Sequence, residues 1–189
     1  MKIYDITQEL FSSSVYPGDT APSMSPVLRI AGGDVCNLSD MNICLHNGTH
    51  IDAPFHFLAD GKSAEQIDLY KCMGKARVAA FSGEIDEVCA RQMLSDSPRR
   101  LLIKGKAEIT CEAAGVFAES GLLLIGVEPQ SVSNGKTAEV HKILLESEIV
   151  ILEGIVLDEV PEGEYQLAAL PLRLEGADGS PCRAVLIDE

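Results

Sequence analysis

Basic residues are the first scarcity. The chain of 189 residues has 15 lysines and arginines against 29 aspartates and glutamates, a formal net charge of −14. Nucleic acid and anionic membranes both demand a basic face, so that balance argues against either as a partner. No apolar run approaches the roughly 18 residues of a membrane span. Residues 1–5 go straight into strand-like alternation and show no signal peptide. The six cysteines (Cys36, Cys44, Cys72, Cys89, Cys111 and Cys182) include no Cys-x-x-Cys pair, which leaves a structural zinc site or a thioredoxin-like motif without support. Most of them read as small buried thiols in a reducing compartment, with the cytoplasm as the expected location. Tryptophan is absent and aromatic residues make up only 5% of the chain. What is present is ordinary for a soluble globular protein: 46% hydrophobic and 23% charged residues, in a length that suits one domain over 1–189 with a sizeable core.

Histidine is scarce too, and its placement carries the main signal. Three of the four histidines fall in Leu45-His46-Asn47-Gly48-Thr49-His50-Ile51-Asp52-Ala53-Pro54-Phe55-His56-Phe57. A helix would put His46 and His50 on one face, but Asn47-Gly48 is a strong turn dipeptide and Pro54 keeps Ala53 out of helical angles. An extended chain from His50 points His50, Asp52 and His56 the same way, with alternate residues roughly 6–7 Å apart. His46 would lie about 13 Å from His50 in a straight strand; a turn at Asn47-Gly48 folds it back. Two imidazoles and a carboxylate suit zinc, with manganese or iron as alternatives, and three protein ligands leave a position open for catalysis.

Strands are expected over 2–7, 27–30, 41–45, 77–81, 101–103, 122–127 and 149–152, with a loop over 11–26. Apolar residues at helical spacing predict helices over 84–94, 111–119 and 137–146, with Thr110 as N-cap of the second, and a short helix over 64–70. Residues 165–174 and 183–187 read as strands joined by a turn at Gly176-Ala177-Asp178-Gly179. Hairpins mixed with crossovers favour an α/β domain with a mixed sheet over a purely parallel one. Tyr16, beside the Pro17-Gly18-Asp19 turn, is positioned to line a pocket. His141 lies at the edge of a predicted apolar helix stripe. Glu153 ends the buried run Ile149-Val150-Ile151-Leu152, where a carboxylate needs a cation or donors.

The His-x-Gly-Thr-His-x-Asp-x-Pro-x-His pattern of residues 46–56 resembles the signature of the cyclase family of metal-dependent hydrolases, whose best-known members are the bacterial kynurenine formamidases. Tyr4-Asp5-Ile6-Thr7 with Tyr16-Pro17-Gly18-Asp19, Leu124-Ile125-Gly126-Val127-Glu128 and Ala169-Leu170-Pro171-Leu172-Arg173-Leu174 are similar to the family as well, so the resemblance spans nearly the whole chain. It implies a swivelling β/β/α fold with a barrel-like portion in its sheet. It implies that His46, His50 and Asp52 hold one zinc ion, and that Asp52 bridges to a second held by His141 and Glu153. One or two ions and Mn2+ in place of Zn2+ stay open at this point. His56 would be the general acid/base. The implied substrate is a small amide, N-formylkynurenine first, with another small amide or a cyclic imide-like compound as the alternative. A non-catalytic metal- or ligand-binding protein is the rival from another class. A homodimer or larger homo-oligomer is implied too. Tyr16 stands where the family tends to carry a tryptophan that helps hold an aromatic substrate, and Glu128 where aspartate is more frequent.

Overall fold

A computed structural model describes residues 1–188. The first half of the chain runs β1 (Lys2–Asp5), β2 (Ser23–Leu28), β3 (Leu38–Asn42), β4 (His50–Asp52), α1 (Leu69–Cys72), β5 (Met73–Ala80), β6 (Gly83–Ile85) and α2 (Glu87–Met93). There follow β7 (Arg100–Lys104), β8 (Ala107–Ile109), α3 (Cys111–Glu119), β9 (Leu124–Val127), α4 (Thr137–Glu146) and β10 (Val150–Glu153). The chain closes with β11 (Gly163–Ala168), β12 (Gly179–Pro181) and β13 (Val185–Asp188).

Nine strands form one mixed sheet in the order β1-β13-β11-β5-β7-β9-β10-β4-β12. Its middle, β5-β7-β9-β10, is parallel, and antiparallel strands flank it on both sides. The sheet is curled into a half-barrel. One contact shows why it cannot be flat. β1 and β10 are six strand spacings apart, about 29 Å in a flat sheet. Yet Thr7, two residues past β1, bridges to Ile155, two residues past β10. Only a curled sheet brings those ends together.

Both faces of β7, β9 and β10 are buried, which is why these segments read as near-continuous apolar runs. Leu102, Leu124 and Leu152 join Ile6, Ile51 and Leu186 inside the curl. Leu101, Ile103, Ile125 and Ile151 point the other way, into a second core with Phe117 of α3 and Val140 and Leu144 of α4. Burying each such Leu, Ile or Phe contributes roughly 1.5–3 kcal/mol. No helix among the described residues is long and apolar enough to cross a membrane.

The mixed sheet, α3 and its Thr110 cap, and α4 agree with the expectations; Thr110 Oγ1 accepts from Ala113 N at 3.1 Å. Several boundaries differ. Residues 23–26, expected as loop, form part of β2, and the second strand of that hairpin ends at Asn42 instead of Leu45. The helix expected over 84–94 starts at Glu87, because Asp86 accepts from Cys89 N at 2.8 Å and caps it; the residues just before pair with β8. Residues 64–70 divide into a 3-10 turn, closed by reciprocal Ser63 and Gln66 bonds, and the single turn α1. The strand expected over 165–174 stops at Ala168, and residues 176–179 do not join a hairpin. They lead into β12, which pairs with β4.

Candidate metal centre and active site

The site is built around β4, which lies between β10 and β12. Alternate residues on a strand share a face. His50 and Asp52 therefore point together toward the helical side, while Ile51 packs inside the curl. The register sets Glu153 opposite His50 and Ile151 opposite Asp52, so Glu153 faces the same way as its cross-strand neighbour. His141, buried on α4, meets them from the second core. His46 arrives through the expected turn. Asn47 Oδ1 accepts from Cys44 N at 2.9 Å, and Gly48 adopts φ +62°, a left-handed conformation that costs glycine little. Just past the end of β10, Gly154 follows Glu153 with φ +68°. A Cβ there would come within 2.4 Å of the Gly48 carbonyl oxygen, so the turns beside His50 and Glu153 touch backbone to backbone.

His46 Nδ1 lies 2.9 Å from Asp52 Oδ1; His50 Nε2 is 3.4 Å from that oxygen and 3.4 Å from Glu153 Oε2. His141 Nε2 is 3.3 Å from Asp52 Oδ2 and 3.2 Å from Glu153 Oε1. The outer nitrogens are engaged elsewhere. His50 Nδ1 donates to Gly48 O at 3.0 Å and His141 Nδ1 to Thr137 O at 2.7 Å. A carbonyl can only accept, so in each neutral ring Nε2 carries a lone pair. Both lone pairs converge on two carboxylates inside the protein. His50 Nε2 and Asp52 Oδ2 are buried without any hydrogen-bond partner. Such an arrangement requires a cation, either protons on the imidazoles or a metal ion. The donor set fits a divalent ion: the ligand atoms of His50, Asp52 and Glu153 lie within 4.8 Å of one another, as do those of His46, Asp52 and His56.

Electrostatics follow from that convergence. Burial alone would pull His141 down, but Asp52 and Glu153 outweigh it and lift its pKa to about 10. The same balance holds His50 well above the ordinary imidazole range. Burial would push the Asp52 carboxyl up; contacts with His141, His46 and His50 hold it well below the usual carboxylate range. His56 goes the other way, its pKa lowered by burial first.

The expectation that His56 extends the β4 face is not met. Pro54 opens a 3-10 turn over Pro54–His56, as its fixed φ favours. That turn nevertheless lays the His56 ring on His46, centroids 4.0 Å apart and planes 27° apart. The structure thus gathers His46, His50, Asp52, His56, His141 and Glu153 in one place. Tyr16 lines the cavity above them, about 220 Å³, together with Asp19, Phe57 and Gln130. Glu128 is not in that wall: its carboxylate accepts from the Gly105 and Leu157 backbone N–H groups.

One residue escaped sequence reading. Asp178 Oδ2 is 3.1 Å from His46 Nε2 and 3.6 Å from His56 Nδ1. Nothing local marks it, because it sits in what reads as a surface turn. Only the pairing of β12 with β4, and the Ala53 N bond to Asp178 O at 3.0 Å, bring it here. A larger groove of about 790 Å³ lies elsewhere, with Glu84, Glu108, Glu128 and Asp158 in its wall. It holds no histidine, and Glu108 is engaged by the Asn134 and Gly135 N–H groups. The smaller cavity is the one lined by all four histidines.

The Cyclase family model, described as "Putative cyclase", matches residues 4–101. A "Kynurenine formamidase" of Bacillus cereus is 36% identical over 200 residues, covering 96% of this chain and 95% of that protein. One of Sphingopyxis alaskensis is 36% identical over 208 residues, covering 98% and 97%. A solved structure described as a "potential metal-dependent hydrolase with cyclase activity" superposes with a TM-score of 0.85 at 25% identity, over 100% of this chain and 98% of that one. With its sequence matched nearly end to end and its fold shared, this chain belongs to the cyclase family.

Proposed function

We propose that this chain is a metal-dependent amide hydrolase of the arylformamidase type, converting N-formylkynurenine and water to kynurenine and formate. The observation that carries the metal reading is the convergence of the His50 and His141 Nε2 lone pairs on Asp52 and Glu153. The substrate reading is supported by full-length relatives that bear the name kynurenine formamidase. His46, His50 and Asp52 would hold one Zn2+, and Asp52, His141 and Glu153 a second, with Mn2+ as the alternative ion. Asp52, which contacts His46, His50 and His141, would be the residue common to both.

When bound, such an ion lowers the pKa of water toward about 7 and polarises a carbonyl oxygen. His56 supplies the proton traffic. Its lowered pKa keeps it neutral near pH 7, and its Nε2, turned away from Asp178, takes a proton from the attacking water. The water oxygen bonds to the formyl carbon, the C–N bond breaks, and the proton passes to the leaving nitrogen. Phe57 packs on the His141 ring, with centroids 4.5 Å apart, and covers one side of the cluster. Tyr16 would contact the aryl part of the substrate.

A second reading keeps the chemistry and changes the substrate. Among the described residues lining the cavity there is no lysine or arginine, so a substrate carboxylate meets neither side chain in this protomer. That favours another small amide or a cyclic imide-like compound. The deciding measurement is the initial rate of N-formylkynurenine loss with zinc- or manganese-loaded protein, with metal content determined in the same sample. Activity that disappears on chelation and returns with the ion is the expected result. Metal-replete protein that hydrolyses only other amides would move the assignment to the second reading; one that hydrolyses none would leave a metal-binding protein.

The same protein is proposed to act as a homodimer or larger, in a reducing compartment such as the cytoplasm. The β2–β3 hairpin supports the first part, leaving Met24, Val27, Leu38 and Met41 about half exposed. Six free thiols support the second. Sedimentation at assay concentration checks the mass, and a monomer would reject the oligomer.

Metal removal also has a pH signature. In the metal-free protein the His141 pKa is about 10, against about 6.5 in an unfolded chain. The folded state then binds more protons between those values. The stabilisation from this group is complete below about 6.5 and is lost as pH rises toward about 10. His50, also raised, acts in the same direction. A bound ion replaces those protons and removes the dependence. Chelated protein should therefore show a Tm that falls from pH 6.5 to 9, while zinc-loaded protein holds steady. A flat or rising Tm in the chelated sample would contradict this.

A further inference from the structure

We infer that Asp178 is a positioning residue: it fixes which nitrogen of His46 faces the metal position and braces His56 beside it. The inference rests on the metal reading proposed above. The three imidazoles around Asp52 are presented in two different ways. His50 and His141 each donate Nδ1–H to a backbone carbonyl and face inward with Nε2. His46 is reversed. Its Nδ1 faces Asp52 Oδ1 at 2.9 Å, and its Nε2 meets Asp178 Oδ2 at 3.1 Å. Ionised carboxylates only accept, and each ring nitrogen of His46 faces one; with an ion held at Asp52, the Nδ1 lone pair would go to that ion and the remaining proton, on Nε2, to Asp178. Metal-ligating histidines commonly hold the other ring nitrogen in such a bond, which sets tautomer and ring orientation.

The surroundings leave His46 little choice. A Cβ on Gly179 would lie 2.7 Å from His46 Cε1, so the β12 backbone presses against the ring edge. The His56 ring stacks on His46, and the same Asp178 oxygen is 3.6 Å from His56 Nδ1. One carboxylate oxygen thus faces both rings. Of the three bonds made by the outward-facing imidazole nitrogens, two are to backbone carbonyls and only this one is to a side chain. A substitution can remove it and leave the backbone bond from Ala53 N to Asp178 O in place.

The test uses the full chain and Zn2+ alone, in competition with a chelating dye. D178A is expected to bind zinc 10- to 100-fold more weakly, on the order seen when such outer partners are removed. D178N, which keeps one acceptor oxygen, should recover part of the loss. D178A is expected to lower the Tm of the chelated protein as well, because the His46–Asp178 contact is lost there too, so zinc affinities are compared at a temperature where wild type and both variants are folded. Zinc-loaded wild type labelled with 15N-histidine supplies an independent readout. Its long-range spectrum should show one imidazole bound through Nδ1 with Nε2 protonated, and the others bound through Nε2. That spectrum decides the inference even if D178A does not fold. Zinc affinity of D178A within twofold of wild type, or every bound imidazole attached through Nε2, overturns this inference alone. Wild type that takes up no zinc overturns the metal reading and this inference together.

Discussion

Asp52→Ala is expected to abolish divalent-ion binding and to lower the stability of the chelated protein as well. No other side chain touches as much of the cluster. Its carboxylate is buried and lies 2.9 Å from His46, 3.4 Å from His50 and 3.3 Å from His141. In the proposed arrangement it is the ligand both ions share, so its loss removes both positions. Without metal it is the counter-charge that lets protonated imidazoles stay buried. Removing one partner of a buried, hydrogen-bonded ion pair costs about 3–5 kcal/mol. For a chain of this length that is on the order of 6–20 °C in Tm. Metal content by emission spectrometry and calorimetry of the chelated variant check the two halves separately. An Asp52→Ala protein with the wild-type metal content would remove Asp52 from the ligand set.

His56→Ala separates proton transfer from metal binding. His56 is the most open of the four histidines, with 27% of its side chain exposed against 14% for His46 and 2% for His50 and His141. It borders the cavity, where a substrate can reach it. Losing a positioned general acid/base costs about 10²–10⁴-fold in rate. The variant is therefore expected to keep its full metal content while kcat falls by that factor, with KM changed far less. His56 is also close enough to His46 and Asp52 to ligate with them, so metal content is the discriminating readout. A variant that loses an ion along with its turnover would make His56 a ligand; one that keeps the wild-type rate would exclude it from the proton transfer.

How much of this was legible in the sequence depends on the length scale of each feature. Gly48 and Pro54 act on their immediate neighbours, so the fold-back of His46 could be read from Asn47-Gly48, and the failure of a helix from Pro54. The same proline also starts the 3-10 turn that takes His56 off the strand face. That outcome was missed because an extended chain and a tight turn are both open to the residue after Ala53. The apolar runs of β9 and β10 were legible because strands buried on both faces carry no polar alternation to blur them. The β6 and β8 pair was not, since three-residue strands show too little pattern to separate from the helix start at Asp86.

Sequence alone determined the residue types of the candidate metal centre, the local turn that gathers His46 to His50, and the mixed α/β class, because spacing, turn chemistry and apolar period are short-range properties of the chain. Tertiary structure decided the rest. Glu153 meets His50 only through the β4–β10 register, His141 reaches Asp52 only because α4 packs on that face, and Asp178 joins His46 across 132 residues only because β12 pairs with β4. Those contacts depend on how a curled sheet closes, and that is settled by burial of both its faces at once and not by any one stretch of residues.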